Sequence, residues 1–376
     1  MPEHKILLLA TYRRGGVEKF CQMLLNHLSA DFQTDLLTIG NRLYQGTWQN
    51  FITKIFDLAH AGYRLITGLK NGHYDIVHIN PSFKVYPLLR DSLYLLIINR
   101  LGYGNRTVVF FHGWDGNLAE RIASHAFYKK IFGKLYKEVG AIFVLYNRCK
   151  EQLVNIGIAP EKIKVTTMMY ERIDGLDEGS IQQVNGKVNI LFMSLLIKGK
   201  GVFVAAEVAK LLVENGYHNT RLILAGDGPL LPELKQFITK NNLAGYVEIP
   251  GYVSGREKAE ILSKGDIFLF PTQLPEGCPT VIIEAMGAGQ AIVSTLKGAI
   301  PSLIKEEENG FICDSQDPAV FYEAVKKLLD NRELLNKMQK TNQKEAEKNY
   351  EVKGYVRRME EVYLSLIGRT TSLGSV

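Results

Sequence analysis

A chain of 376 residues is longer than one hydrophobic core usually organises, and two domains of similar size are expected. Apolar residues at 46% and charged residues at 22% exclude a largely disordered or fibrous chain. The net charge of +6 is uneven: residues 1–170 hold 21 Lys+Arg against 12 Asp+Glu, and residues 171–376 hold 24 against 27. A basic first half points to an anionic partner, and the lack of zinc-finger spacing or an aromatic-basic RNA motif excludes nucleic acid.

Short runs rich in Ile, Val, Phe and Leu alternate with longer stretches of helical period. Strands are expected at residues 5–10, 34–39, 75–80, 107–111 and 141–145, with an amphipathic stretch at 16–29. A polar stretch at 173–187 follows. The pattern then restarts with strands at 189–194, 221–225, 247–250, 267–271, 291–294 and 310–313, and helical stretches at 202–216 and 229–241. Strands that are apolar almost throughout, separated by helices, imply parallel sheets covered on both faces. Two such series predict an α/β protein of two Rossmann-like domains, residues 1–172 and 173–350, with their parallel sheets facing across a cleft. Ligands in that architecture sit beyond the carboxyl ends of the strands. Residues 318–367 read as continuously helical, and residues 369–376 as a loose tail. The four cysteines, Cys21, Cys149, Cys278 and Cys313, lie far apart with no C-x-x-C pair. No run approaches the ~18 apolar residues of a membrane span. The run Ile6–Leu9 is too short for a secretion signal, so a reduced cytoplasmic setting is expected.

The most informative segment is F-P-T-Q-L-P-E-G-C-P-T-V-I-I-E-A-M-G-A-G at 270–289. A strand ends, a loop delivers Glu276, Gly277 and Cys278, and a helix is expected to open with Pro279 at its first position. The unbonded amides of a helix start carry about half a positive charge and suit an anion. Pro279 has no amide hydrogen, which leaves Thr280 and Val281 as donors. Glu276 and Glu284 suit the neutral hydroxyls of a sugar or ribose. Cys278 has no base beside it in the sequence and reads as a backbone contact, and His78 reads as a packed strand residue. Asp227, in the turn Gly226-Asp227-Gly228-Pro229, reads as a turn former that caps the next helix. Neither G-x-x-x-x-G-K-[ST] nor G-x-G-x-x-G occurs.

The two glutamates within E-G-x-P-x-x-x-x-E-A-x-x-x-G resemble the signature of retaining nucleotide-sugar glycosyltransferases of family 4. Arg13-Arg14-Gly15-Gly16-Val17-Glu18 is similar to that family's N-terminal glycine loop. The turn at Gly226–Pro229 resembles its G-D-G-P turn, and 247–253 with 259–271 its approach to the donor site. The resemblance covers nearly all of residues 5–315. It implies a GT-B fold with an acceptor-side first domain, a donor-side second domain, and a last helix, about 352–367, crossing back onto the first. It also implies an EC 2.4 transferase that retains anomeric configuration, with a UDP-sugar as donor and a glycan or lipid-linked acceptor.

By the same resemblance, Glu284 holds the ribose, and Glu276, with Gly277, Cys278 and Thr280, holds the sugar. Lys200 neutralises the diphosphate, Gly15 and Gly16 let backbone approach it, and His112 contacts the sugar and aids catalysis. The family's Arg before its lysine is replaced here by Leu195, so Arg13, Arg14 or Lys198 is expected to substitute. No D-x-D occurs, so neither a metal nor another cofactor is expected. The alternatives are a nucleotide-sugar-binding protein with little transfer activity, and an epimerase or hydrolase on the same fold. Residues 51–70, 83–106 and 127–137 mix aromatic and aliphatic residues with lysine and arginine. They are expected to place the protein peripherally on an anionic membrane surface.

Overall fold

The computed structural model describes residues 2–11, 16–39, 49–172 and 186–373. Among these, the strands are β1 (His4–Thr11), β2 (Phe32–Ile39), β3 (Ile76–Ile79), β4 (Ser82–Phe83), β5 (Thr107–Phe110), β6 (Gly113–Trp114) and β7 (Ala141–Val144). Then follow β8 (Ile163–Val165), β9 (Val188–Met193), β10 (Thr220–Ala225), β11 (Val247–Gly251), β12 (Ile267–Phe270), β13 (Ala291–Ser294) and β14 (Gly310–Ile312). The chain forms two compact units: one comprises Met1–Thr167 with Val352–Val376, the other Met168–Glu351.

In the first unit a parallel sheet runs in the order β2-β1-β3-β5-β7-β8. Its inner strands β3, β5 and β7 are buried on both faces, as their apolar runs require, whereas the edge strands β2 and β8 carry polar residues and are only partly buried. Leu7, Leu9, Val77, Ile79, Val109 and Val144 point into one core, under helices Gln49–Gly72, Val85–Arg100 and Ala126–Tyr136. On the opposite face lie helix Gly16–His27 and the last helix, Val352–Leu373. Phe20 from the former meets Phe110 edge-on at 4.9 Å, and Tyr363 from the latter is hydrogen-bonded to His78 Nδ1 at 2.6 Å. His78 is therefore a buried strand residue, as its sequence context suggests.

The second unit holds a parallel sheet in the order β11-β10-β9-β12-β13-β14. The chain winds outward from β9 in both directions, so β9 and β12 flank the point where the connection reverses. Ligands in such sheets bind beyond the strand ends at that point.

Three sequence expectations need correction. Residues 318–367 are not one helix. Helix Pro318–Asp330 stops at Asn331, whose side chain caps helix Arg332–Asn349 through the Leu334 amide at 2.9 Å. A second break at Tyr350–Glu351 precedes Val352. The last helix continues to Leu373 instead of giving way to a tail at 369, since each added helical residue gains a backbone bond once the helix is nucleated. Strand β8, Ile-Lys-Val, was not expected, because three residues with a central lysine carry too little pattern to read. Most of the polar stretch at 173–187 lies outside the described residues. Among the described residues no helix is long and apolar enough to cross a membrane.

Candidate active site

Three neighbouring strands, β9, β12 and β13, end at one edge of the second sheet, and the chain after each joins a single cluster. The loop after β9 leads through Lys200 to Gly201, the N-cap of helix Val202–Glu214. The loop after β12 carries Thr272 and Glu276. Lys200 Nζ donates to Glu276 Oε1 at 2.7 Å, and Thr272 Oγ1 donates to the same oxygen at 2.8 Å. The lysine and glutamate side chains are only 18% and 12% exposed, so water screens the pair weakly. The ammonium also lies 5.6 Å from the centre of the Phe270 ring.

Backbone contacts fix this loop. The Gly199 carbonyl accepts the Gln273 amide at 2.7 Å. Gly201, at φ +86°, passes so close to Pro271 that a Cβ would stand 2.3 Å from its carbonyl oxygen. After β13, Gly298 approaches from the other side. A Cβ there would lie 1.8 Å from the Glu276 carbonyl oxygen, which also accepts the Ala299 amide at 2.9 Å. Glu276 is thus held through its main chain as well as its carboxylate.

The helix after Glu276 runs Thr280–Gly287, with Pro279 at the N-cap and not at its first position. Pro279 is extended at ψ 105°, so the helical geometry begins one residue later than expected. Ile282 turns its amide back to the Pro279 carbonyl at 3.0 Å. The amides of Thr280 and Val281 make no hydrogen bond among the described residues. Glu284, one turn on, is buried and receives Lys258 Nζ at 2.5 Å from helix Gly255–Lys264. Sequence reasoning missed Lys258, Thr272 and Gly298. Thr272 follows β12 directly and was open to notice, whereas Lys258 and Gly298 reach the site only through tertiary folding.

The remaining candidates are placed as follows. Gly277 lies between Glu276 and Cys278 in the same loop. Cys278 Sγ accepts the Met168 amide at 3.4 Å, and burial pushes its thiol up to about 12, so it is a backbone contact and not a thiolate nucleophile. Asp227 takes the Gly228 amide at 2.7 Å but does not cap the next helix, which starts at Leu231 behind Leu230. The flanking glycines serve the neighbouring loop: a Cβ on Gly226 would lie 1.9 Å from the Ser194 carbonyl oxygen. Leu195 is 59% exposed beside the fully buried Leu196, and Lys198 is exposed.

In the first unit, Gly16 opens helix Gly16–His27, while Arg13, Arg14 and Gly15 lie outside the described residues. His112 follows β5, stacks on Phe110 at 4.1 Å, and its Nε2 lies 2.8 Å from Asn80 Oδ1. Asn80 gives its amide to the Leu9 carbonyl, which turns its oxygen to the ring and fixes the proton on Nε2. Burial, reinforced by His78, lowers the His112 pKa to about 3 and keeps the ring neutral.

The glycosyl transferases group 1 family matches residues 177–345, a little under half of the chain. The chain is 27% identical over 217 residues to the putative colanic acid biosynthesis glycosyltransferase WcaL of Salmonella typhimurium, a stretch covering 56% of this chain and 52% of WcaL. It thus spans about half the length of the first curated relatives it matches. It is 25% identical over 311 residues to an Escherichia coli UDP-Gal:alpha-D-GlcNAc-diphosphoundecaprenol alpha-1,3-galactosyltransferase, covering 80% of this chain and 77% of that one. A glycosyltransferase structure from Rickettsia africae superposes with a TM-score of 0.74 at 16% identity, covering 98% and 99% of the two chains. Anabaena Alr3699/HepE in complex with UDP gives 0.70 at 15%, covering 96% and 100%. At these identities the likeness shows the fold alone, which is GT-B, and the matched residues 177–345 fall within its second Rossmann-like unit.

Proposed function

We propose that the chain is a retaining glycosyltransferase of family 4 that moves a sugar from a UDP-sugar to a glycan or lipid-linked acceptor in polysaccharide or glycoconjugate assembly. The observation that carries this reading is the Lys200–Glu276–Thr272 cluster at the reversal point of the second unit's sheet, next to two unbonded amides at a helix start. The UDP complex of the Anabaena neighbour supports the donor, and the diphosphoundecaprenol-linked substrate named for the E. coli relative supports the acceptor.

In this reading Glu284, oriented by Lys258, accepts from the ribose hydroxyls. Lys200 and the amides of Thr280 and Val281 meet the diphosphate without a divalent ion, and Glu276 accepts from sugar hydroxyls. The bond from the sugar's anomeric carbon to the diphosphate breaks, and one to the acceptor oxygen forms on the same face. The acceptor's proton leaves with the diphosphate. His112, neutral at working pH, serves as a hydrogen-bonding group and not as a proton relay. Leu195 favours a second reading, a nucleotide-sugar-binding protein with little transfer, because no cation stands at that position.

A thermal-shift panel of UDP, GDP, ADP and their sugars tests the proposal. At about a hundred times its dissociation constant the preferred nucleotide stabilises the fold by roughly 2.7 kcal/mol, and Glu284→Ala removes most of this. No shift with any nucleotide overturns both readings. A shift without transfer to any acceptor selects the second.

A further inference from the structure

The chain passes between its two units twice, at Thr167–Met168 and at Glu351–Val352. Boundaries of this kind usually fall in exposed, flexible segments, but on the second unit's side these do not. Met168, Met169, Tyr170 and Tyr350 are all buried. The two crossings run side by side there: the Tyr170 amide donates to the Tyr350 carbonyl at 3.0 Å, and Tyr170 forms a parallel β-bridge with Glu351. The first crossing also touches both ends of helix Thr280–Gly287. Just before the helix start, the Met168 amide donates to Cys278 Sγ at 3.4 Å. At its last residue, the Tyr170 ring packs so closely that a Cβ on Gly287 would stand 2.5 Å from Cε2. The second crossing follows helix Arg332–Asn349, which packs against the same short helix.

Eight helical residues span about 12 Å, and their ladder of backbone bonds makes them move as one body. The amides of Thr280 and Val281 and the carboxylate of Glu284 belong to that body. We propose that Cys278 and Tyr170 are positioning residues that tie this helix to the crossings, so that a nucleoside diphosphate held at the helix start makes the crossings rigid. An anion on the start amides limits the motion of the helix, and residues 168–170 then open only against that restraint. The coupling is reciprocal in binding free energy, so the state of the crossings acts on the donor by the same factor. Core packing alone would instead make the opening of the crossings independent of any donor. This coupling rests on the donor reading above and names the residues through which a bound donor reaches the rest of the chain.

The test is hydrogen–deuterium exchange of the full chain with and without saturating UDP, followed in peptides that contain residues 168–170 and 350–351. UDP is expected to slow exchange in both by about fivefold or more, the lower end of the coupling between linked sites. Cys278→Ala leaves the Met168 amide without its acceptor, and Tyr170→Leu removes the ring over Gly287. Each variant is measured at a UDP concentration that saturates it. The slowing at the crossings is expected to be lost, while that of the peptide over residues 276–281 remains. A merely structural role for the two side chains would speed exchange with and without UDP alike and leave the ratio that of wild type. Slowing at the crossings that survives in both variants overturns the coupling. So does a wild type that UDP stabilises in the thermal-shift panel without slowing the crossings, and in that case the donor reading stands. A wild type that no nucleotide stabilises overturns both.

Discussion

Lys200 and Glu276 carry opposite charges for ligands of different kinds, and each occupies the other. An ammonium suited to a diphosphate sits 2.7 Å from a carboxylate suited to sugar hydroxyls. A bare nucleoside diphosphate gains the lysine but faces the glutamate's negative charge in a weakly screened place. A nucleotide-sugar places hydroxyls between the two and satisfies both. Glu276→Gln keeps an acceptor for Lys200 and Thr272 while removing the charge, so two effects should separate. UDP affinity measured by calorimetry should rise, by up to about tenfold, which corresponds to ~1.4 kcal/mol. Transfer from the sugar donor should fall by about a hundredfold, the scale seen when one charge-stabilising group is lost. If the variant binds UDP more weakly than wild type, the pair does not oppose the diphosphate and Glu276 must act through the fold alone.

At the scale of the elements, the site depends on how closely three loops approach, and glycine sets that distance. Gly298 and Gly289 both have positive φ, +61° and +75°, so alanine strains the backbone at either. Only Gly298 adds a collision, with the Glu276 carbonyl at 1.8 Å, whereas a Cβ on Gly289 meets nothing nearer than 3.9 Å. Gly289 closes helix Thr280–Gly287 in a Schellman turn, its amide on Met286 and that of Gln290 on Ala285. Gly289→Ala should cost about 1 kcal/mol in a denaturant melt and leave nucleotide binding intact. Gly298→Ala should cost about 3 kcal/mol or more and weaken nucleotide-sugar binding, because the Glu276 loop must move. Equal losses at the two positions would mean that the close approach has no role. The same elements mark what the sequence discloses. The inner strands of both sheets are legible because they are buried on both faces and largely apolar, and the spacing of Glu276 to Glu284 is local. Lys258, 26 residues before Glu284, carries no such signal, and neither does Gly298, whose need for φ +61° arises from a neighbour 22 residues away. The break at Asn331 was masked by a helical period that continues in phase through the cap.

At the scale of the molecule, the first unit encloses two neutral imidazoles while the second carries the proposed donor groups. Burial lowers the pKa of His78 to about 3, and His112 is lowered to a similar value. Unfolded, each returns to about 6.5, so between those values the unfolded chain binds more protons than the folded one. Stability from these residues is therefore complete above pH 6.5 and declines as pH falls. Burial raises the carboxyl pKa of Asp91 and of Asp266, which acts in the opposite direction. The contribution of His78 is isolated by comparing wild type with His78→Phe, since both retain His112 and the two aspartates. From pH 7 to 5, wild type should lose about 2 kcal/mol more unfolding free energy than the variant, from His78 alone. The variant starts lower, because Tyr363 loses the partner that joins the last helix to the first sheet, but its slope with pH should be shallower. Parallel slopes in urea melts at the two pH values would show that His78 is protonated in the folded protein, and that the contact between Tyr363 and β3 has a different electrostatic basis.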